Sequence, residues 1–84
     1  MQRVLVCDDE RHIRRLVQVN MERQGYEVEL CDNEVGCLSM LRQTPFDMVI
    51  LDGDMRDLLA EIEADPSLTV KTLTLGKNNT TGIP

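Results

Sequence analysis

Two short apolar runs, each closed by acids, constrain this chain more than any other feature. Val4-Leu5-Val6-Cys7 runs into Asp8-Asp9, and Met48-Val49-Ile50-Leu51 runs into Asp52-Gly53-Asp54. A continuous apolar run bounded by turn signals fits a strand buried on both faces, as in a parallel sheet. The acids then fall at the carboxyl ends of two such strands, where open α/β sheets hold their ligands. A buried carboxylate is costly unless it is paired, metal-bound or modified. The two runs together therefore place a carboxylate cluster at one rim of a sheet.

The segments between the runs read as helices and weaker strands. From Glu10 to Gln24 the apolar residues Ile13, Leu16, Val17 and Met21 recur at helical spacing, with Arg11, Arg14, Arg15, Gln18 and Glu22 on the opposite face. Asp9 is the expected N-cap, and Gly25 stands where a left-handed cap belongs. Tyr26 to Cys31 alternates apolar residues with Glu27 and Glu29, a half-exposed edge strand. Asp32-Asn33 opens a second helix to about Gln43, with Val35, Leu38 and Leu41 inward, and Thr44-Pro45 ends it. A third helix starts from an Asp54…Asp57 capping pair, buries Leu58, Leu59 and Ile62, and breaks at Asp65-Pro66. Thr69 to Leu75 is a fourth strand, polar enough for an edge and guarded by Lys71.

The order βαβαβαβ with short links predicts an α/β fold with an open parallel sheet and helices on both faces. Right-handed crossovers lead to strand order 2-1-3-4, with the first helix on one face and the other two opposite. One face of the third and fourth strands is left without a helix, an apolar patch that marks an interface. Residues 1–76 form the domain and 77–84 a polar tail, expected to be poorly ordered.

With 84 residues the chain makes one small domain, its core filled by Leu, Val, Ile and Met because it has one Phe, one Tyr and no Trp. Fifteen acidic against nine basic residues give a net charge of −6, which excludes nucleic acid as a direct partner and favours cations. No signal segment or membrane-length apolar stretch is present, so the expected location is cytoplasmic, without membrane contact. Three cysteines, Cys7, Cys31 and Cys37, without a C-x-x-C spacing, are expected to be reduced thiols that fill or line the core. His12 is expected at the surface and Glu10 as an ordinary first-turn acid.

Residues 3 to about 66 resemble a response-regulator receiver domain of two-component signalling. The likeness rests on Val6-Cys7-Asp8-Asp9-Glu10, on the helix ending in Gly25-Tyr26-Glu27-Val28, and on Pro45-Phe46-Asp47-Met48-Val49-Ile50-Leu51-Asp52. It implies that Asp52 accepts a phosphoryl group from a histidine kinase or phosphotransfer protein. It further implies that Asp8, Asp9, Asp52 and the backbone carbonyl of Asp54 hold Mg²⁺. Such a site suits Mg²⁺, which prefers octahedral oxygen ligands and retains waters, and suits phosphoryl transfer, which depends on positioning and charge neutralisation.

The chain also departs from the family. The loop between the acceptor and the third helix is nearly absent. The family's hydroxyl at the end of strand four aligns with Leu75, and Thr74 is one position off, pointing to the other face. The fifth strand with its lysine and the last two helices are missing, and Lys77 does not match that lysine. Acceptance of phosphate can survive these losses, with output through a homodimer at the uncovered sheet face. A second reading is a phosphorylation-independent dimerisation or interaction module. A third is an enzyme, since Asp52-Gly53-Asp54 resembles the D-x-D of haloacid-dehalogenase-type phosphatases, but only thirty residues follow Asp54. The receiver reading is therefore that of a signalling module and not an enzyme.

Overall fold

The computed structural model describes residues 2–76. Four strands and three helices alternate: β1 (Arg3–Cys7), α1 (Arg11–Arg23), β2 (Glu27–Cys31), α2 (Glu34–Gln43), β3 (Met48–Asp52), α3 (Arg56–Ala64) and β4 (Lys71–Leu75). All strand pairs are parallel and the order is β2-β1-β3-β4, as the sequence predicts. The expected tail, 77–84, lies outside the described residues. Among the described residues there is no fifth strand and no fourth or fifth helix.

The central position of β1 and β3 follows from their composition. Leu5, Cys7, Val49 and Leu51 point to one face, where they pack with Cys37, Leu38 and Leu41 of α2, Phe46, Met55, and Leu58 and Ile62 of α3. Val4, Val6 and Ile50 point to the other face, toward Val17 and Met21 of α1 with Tyr26 and Val28. Leu58 is fully buried, and truncating a leucine in such a place to alanine costs roughly 2–5 kcal/mol. Both edge strands are polar. On β2, Glu27 and Glu29 form ion pairs with Arg3 of β1. On β4, Lys71 is exposed and Leu73 is half exposed at 50%, on the α1 side. Ile50 beside it is nonetheless covered, so the open patch is narrower than expected, centred on β4 and not on both strands.

Two apolar residues assigned inward point outward. Leu16 of α1 and Val35 of α2 are exposed. In α2 the buried face is centred on Cys37, Leu38 and Leu41, and at 100° per residue Val35 falls well outside that arc. Helix ends also differ in part. Gly25 adopts φ +94°, and Gly25 N–H and Tyr26 N–H donate to the carbonyls of Glu22 and Met21, a Schellman ending. Asn33 caps α2, its Oδ1 accepting from Gly36 N–H at 2.6 Å. Asp9 does not cap α1. Glu10 is the N-cap and makes no side-chain cap bond, while Asp8 Oδ1 accepts from Glu10 N–H at 2.8 Å. Likewise Met55, not Asp54, is the N-cap of α3, its side chain buried and without a cap bond. In both cases the turn after the strand is longer by one residue than propensity alone suggests, because the strand-end carboxylates face the rim.

The cysteines are the plainest correction. Cys7, the last residue of β1, and Cys37 in α2 form a disulfide, with Cα atoms 6.4 Å apart. Thirty residues separate them, so no short spacing announces the pair. They meet because α2 packs on the β1 face that Cys7 looks toward. Cys31 is the free cysteine among the described residues and is partly exposed.

Candidate metal and phosphoryl site

The site forms where β1 and β3 end side by side. Register pairs Cys7 with Leu51, so Asp8 and Asp52 leave the sheet at neighbouring points. Both are 2% exposed, the buried charged residues among those described, whereas Asp9 is exposed. One carboxylate oxygen from each of Asp8, Asp9 and Asp52 lies within 4.8 Å of the others. Oxygens about 2.1 Å from a central Mg²⁺ sit roughly 3–4 Å apart, so small side-chain rotations bring these three onto one divalent ion. The donor set fits as well, since hard cations take carboxylate oxygen. The cluster expected from the sequence is therefore assembled, and it is poised to coordinate a metal.

Backbone hydrogen bonds hold Asp8 and Asp52 in place. Asp8 N–H donates to the Cys31 carbonyl at 3.1 Å, and Asp8 Oδ1 accepts from Glu10 N–H. Asp52 Oδ1 accepts from Asp54 N–H at 3.2 Å, and the Asp52 carbonyl accepts from Met55 N–H at 2.9 Å. Together these bonds fold the Asp52–Met55 segment into a tight turn before α3. The side chain of Asp54 is exposed.

Asp9, Asp32, Asn33, Glu34, Asp52, Asp54 and Met55 line an open cleft of about 280 Å³. Among the described residues, no basic side chain lines the cleft.

Two contributors were not evident from the sequence. Arg14, expected on the solvent face of α1, is partly buried, and its Nη1 donates to the Asp8 carbonyl at 2.8 Å. It thereby ties α1 to the β1–α1 turn. Gly53 N–H donates to the Leu75 carbonyl at 2.6 Å, and a Cβ at residue 53 would stand 2.8 Å from that same oxygen. Only glycine lets the ends of β3 and β4 approach this closely. His12 is exposed, as expected, whereas Glu10, expected as a first-turn acid, is the exposed N-cap of α1.

The end of β4 differs from what a full receiver site needs. Leu75 is the register partner of Asp52, while Thr74 pairs with Leu51 and is exposed. Lys71 pairs with Met48 at the opposite end of the strand, and Lys77 lies outside the described residues.

The fold and this acidic rim define a class, a signalling receiver module built on an open parallel sheet. The chain belongs to the response regulator receiver domain family, whose model matches residues 4–81. Members are signalling modules and not enzymes, which removes the phosphatase reading of Asp52-Gly53-Asp54. The chain is 30% identical to the response regulator receiver protein CpdR of Brucella abortus, over 88% of this chain and 67% of that protein. It spans about a quarter of the length of transcriptional regulators that it also matches, such as KdpE of Mycobacterium tuberculosis. Among solved structures it resembles the response regulator TrrA of Thermotoga maritima in complex with Mg²⁺–BeF, with TM-score 0.84 and 28% identity over 99% of this chain and 77% of that one. It also matches the complex of the histidine kinase ThkA with TrrA, with TM-score 0.81 and 30% identity over 92% of this chain and 70% of that one.

Proposed function

We propose that residues 1–76 act as a shortened receiver that takes a phosphoryl group on Asp52 from a histidine kinase or phosphotransfer protein, 77–84 being an appended tail. The observation that carries this reading is the pair of buried acids, Asp8 and Asp52, with Asp9 in reach of both. Asp8, Asp9, Asp52 and the backbone carbonyl of Asp54 would hold Mg²⁺. Bound there, the ion supplies charge neutralisation for the carboxylates and the incoming phosphoryl oxygens. Asp52 offers one carboxylate oxygen to phosphorus; the phosphorus–nitrogen bond of the donor phosphohistidine breaks as the acyl phosphate forms, and the imidazole takes up a proton. Asp54 N–H, already on Asp52 Oδ1, steers the other oxygen toward the cleft. The kinship to TrrA, a regulator solved both with a kinase and with Mg²⁺–BeF, supports the same donor class.

Output would run through self-association at the open patch of β4 around Leu73, in a cytoplasmic setting. No helix among the described residues is long and apolar enough to cross a membrane. One observation favours the phosphorylation-independent reading: Leu75, not a hydroxyl, stands opposite Asp52. Incubation with Mg²⁺ and acetyl phosphate, followed by intact mass, decides between them. A single-phosphate adduct absent from Asp52→Asn supports the acceptor role; no adduct at millimolar donor supports the interaction module. Size-exclusion mass with and without donor shows whether association is switched or constitutive.

A further inference from the structure

The Cys7–Cys37 disulfide is fully buried at both cysteines. No external reductant reaches it directly. Cys31 is partly exposed and belongs to the same cluster of side chains. It is the register partner of Cys7 on the adjacent parallel strand. Neighbouring strands lie about 4.8 Å apart, inside the span a disulfide bridges between Cα atoms. Cys7 can therefore bond to either sulfur, Cys37 above it or Cys31 beside it. The Cys31 thiol donates to the Asn33 carbonyl at 3.4 Å, and Cys7 Sγ lies 3.7 Å from that same oxygen. Gly36 adds an independent sign. A Cβ there would stand 2.9 Å from Cys31 Sγ, so the first turn of α2 leaves room for this sulfur against the disulfide.

We propose that Cys31 is the relay thiol through which the buried Cys7–Cys37 disulfide exchanges with external dithiols, making residues 7, 31 and 37 one redox site. Cys31 Sγ gives its proton to solvent and attacks Cys7 Sγ. The Cys7–Cys37 bond breaks, the Cys7–Cys31 bond forms, and Cys37 leaves with the electron pair and takes up a proton. This step needs no oxidant or reductant. The new disulfide has one sulfur at the surface, which a dithiol can reach. Its first thiol bonds to Cys31 and releases Cys7 as a thiol. Its second thiol closes the reductant's own disulfide and frees Cys31, so the protein gains the two electrons and two protons that the dithiol loses. Attack by a thiol on a disulfide sulfur depends on access, and access here lies with Cys31 alone.

The test follows reduction of the native protein by dithiothreitol, quenching with acid and counting alkylated cysteines by mass. Three forms are compared: the unmodified protein, Cys31→Ser, and native protein whose Cys31 has first been capped with iodoacetamide. The capped form is folded before the block is made, so the test survives if Cys31→Ser fails to fold. The expected result is reduction of Cys7–Cys37 at least tenfold slower when Cys31 is replaced or capped. Equal rates in the unmodified and capped protein would overturn the relay and assign reduction to opening of the fold.

Discussion

Gly53 N–H and the Leu75 carbonyl meet across 2.6 Å, joining the residue after Asp52 to the end of the edge strand. The contact sets how β4 lies beside the acidic rim. Because a Cβ on residue 53 would press on backbone, not on a flexible side chain, Gly53→Ala forces the strand ends apart. The expected loss is about 1–3 kcal/mol of stability, the usual cost of overpacking. Urea unfolding measures it, and an unchanged midpoint would show that the end of β4 yields freely.

Mg²⁺ is expected to stabilise the folded chain through the Asp8, Asp9 and Asp52 cluster. At a tenfold excess over Kd the gain is about 1.4 kcal/mol, a rise in melting temperature of roughly 5–10 °C for a domain this small. Asp8→Asn should lose most of this rise. A thermal melt with and without Mg²⁺ reads it, and an equal rise in the variant would place the ion elsewhere.

The disulfide closes a chain segment of thirty residues between Cys7 and Cys37. Loop-closure entropy for that length corresponds to roughly 3–4 kcal/mol. Cys37→Ser is expected to lower unfolding stability by that order, as urea titration would report. Adding reductant should lower the parent protein to a similar level.

Asp65, the C-cap of α3, accepts hydrogen bonds from the Ser67 hydroxyl and N–H and pairs with Arg42. The Ser67 hydroxyl first and then its N–H hold the carboxyl below its ordinary value; burial opposes them, and Arg42 adds a lesser lowering effect. The folded pKa is depressed, so the contribution to stability is present above the unfolded value near 3.9. It is lost as pH falls through the folded value. Asp65→Asn should therefore narrow the stability difference between pH 6 and pH 3, read from urea midpoints at the two pH values. An identical acid response would remove Asp65 from the account.

The sheet and the acidic rim were legible because each depends on a local pattern. Apolar runs that end in acids fix both the buried strands and the place of Asp8 and Asp52, and short links fix the order. Helix caps were read less well. Asp9 and Asp54 have the right residue type for a cap, yet the strand-end turns begin α1 and α3 one residue later, which composition does not reveal. Val35 and Leu16 fit a three- or four-residue spacing, but the direction of a helix face is set by what it packs on. The Cys7–Cys37 bond was invisible for a similar reason: it depends on which face of β1 receives α2. Arg14 turns back to a backbone carbonyl, and a side chain that long carries no mark of its direction in the sequence.

In the order β2-β1-β3-β4, the earliest strand of the chain occupies an inner lane. Its second hydrogen-bonding edge stays open until residues 48–52 have left the ribosome, some forty positions later. Non-local parallel pairing of this kind is slow and leaves an apolar ribbon bare in the meantime. During synthesis, then, Val4-Leu5-Val6 is the segment with most to gain from a chaperone.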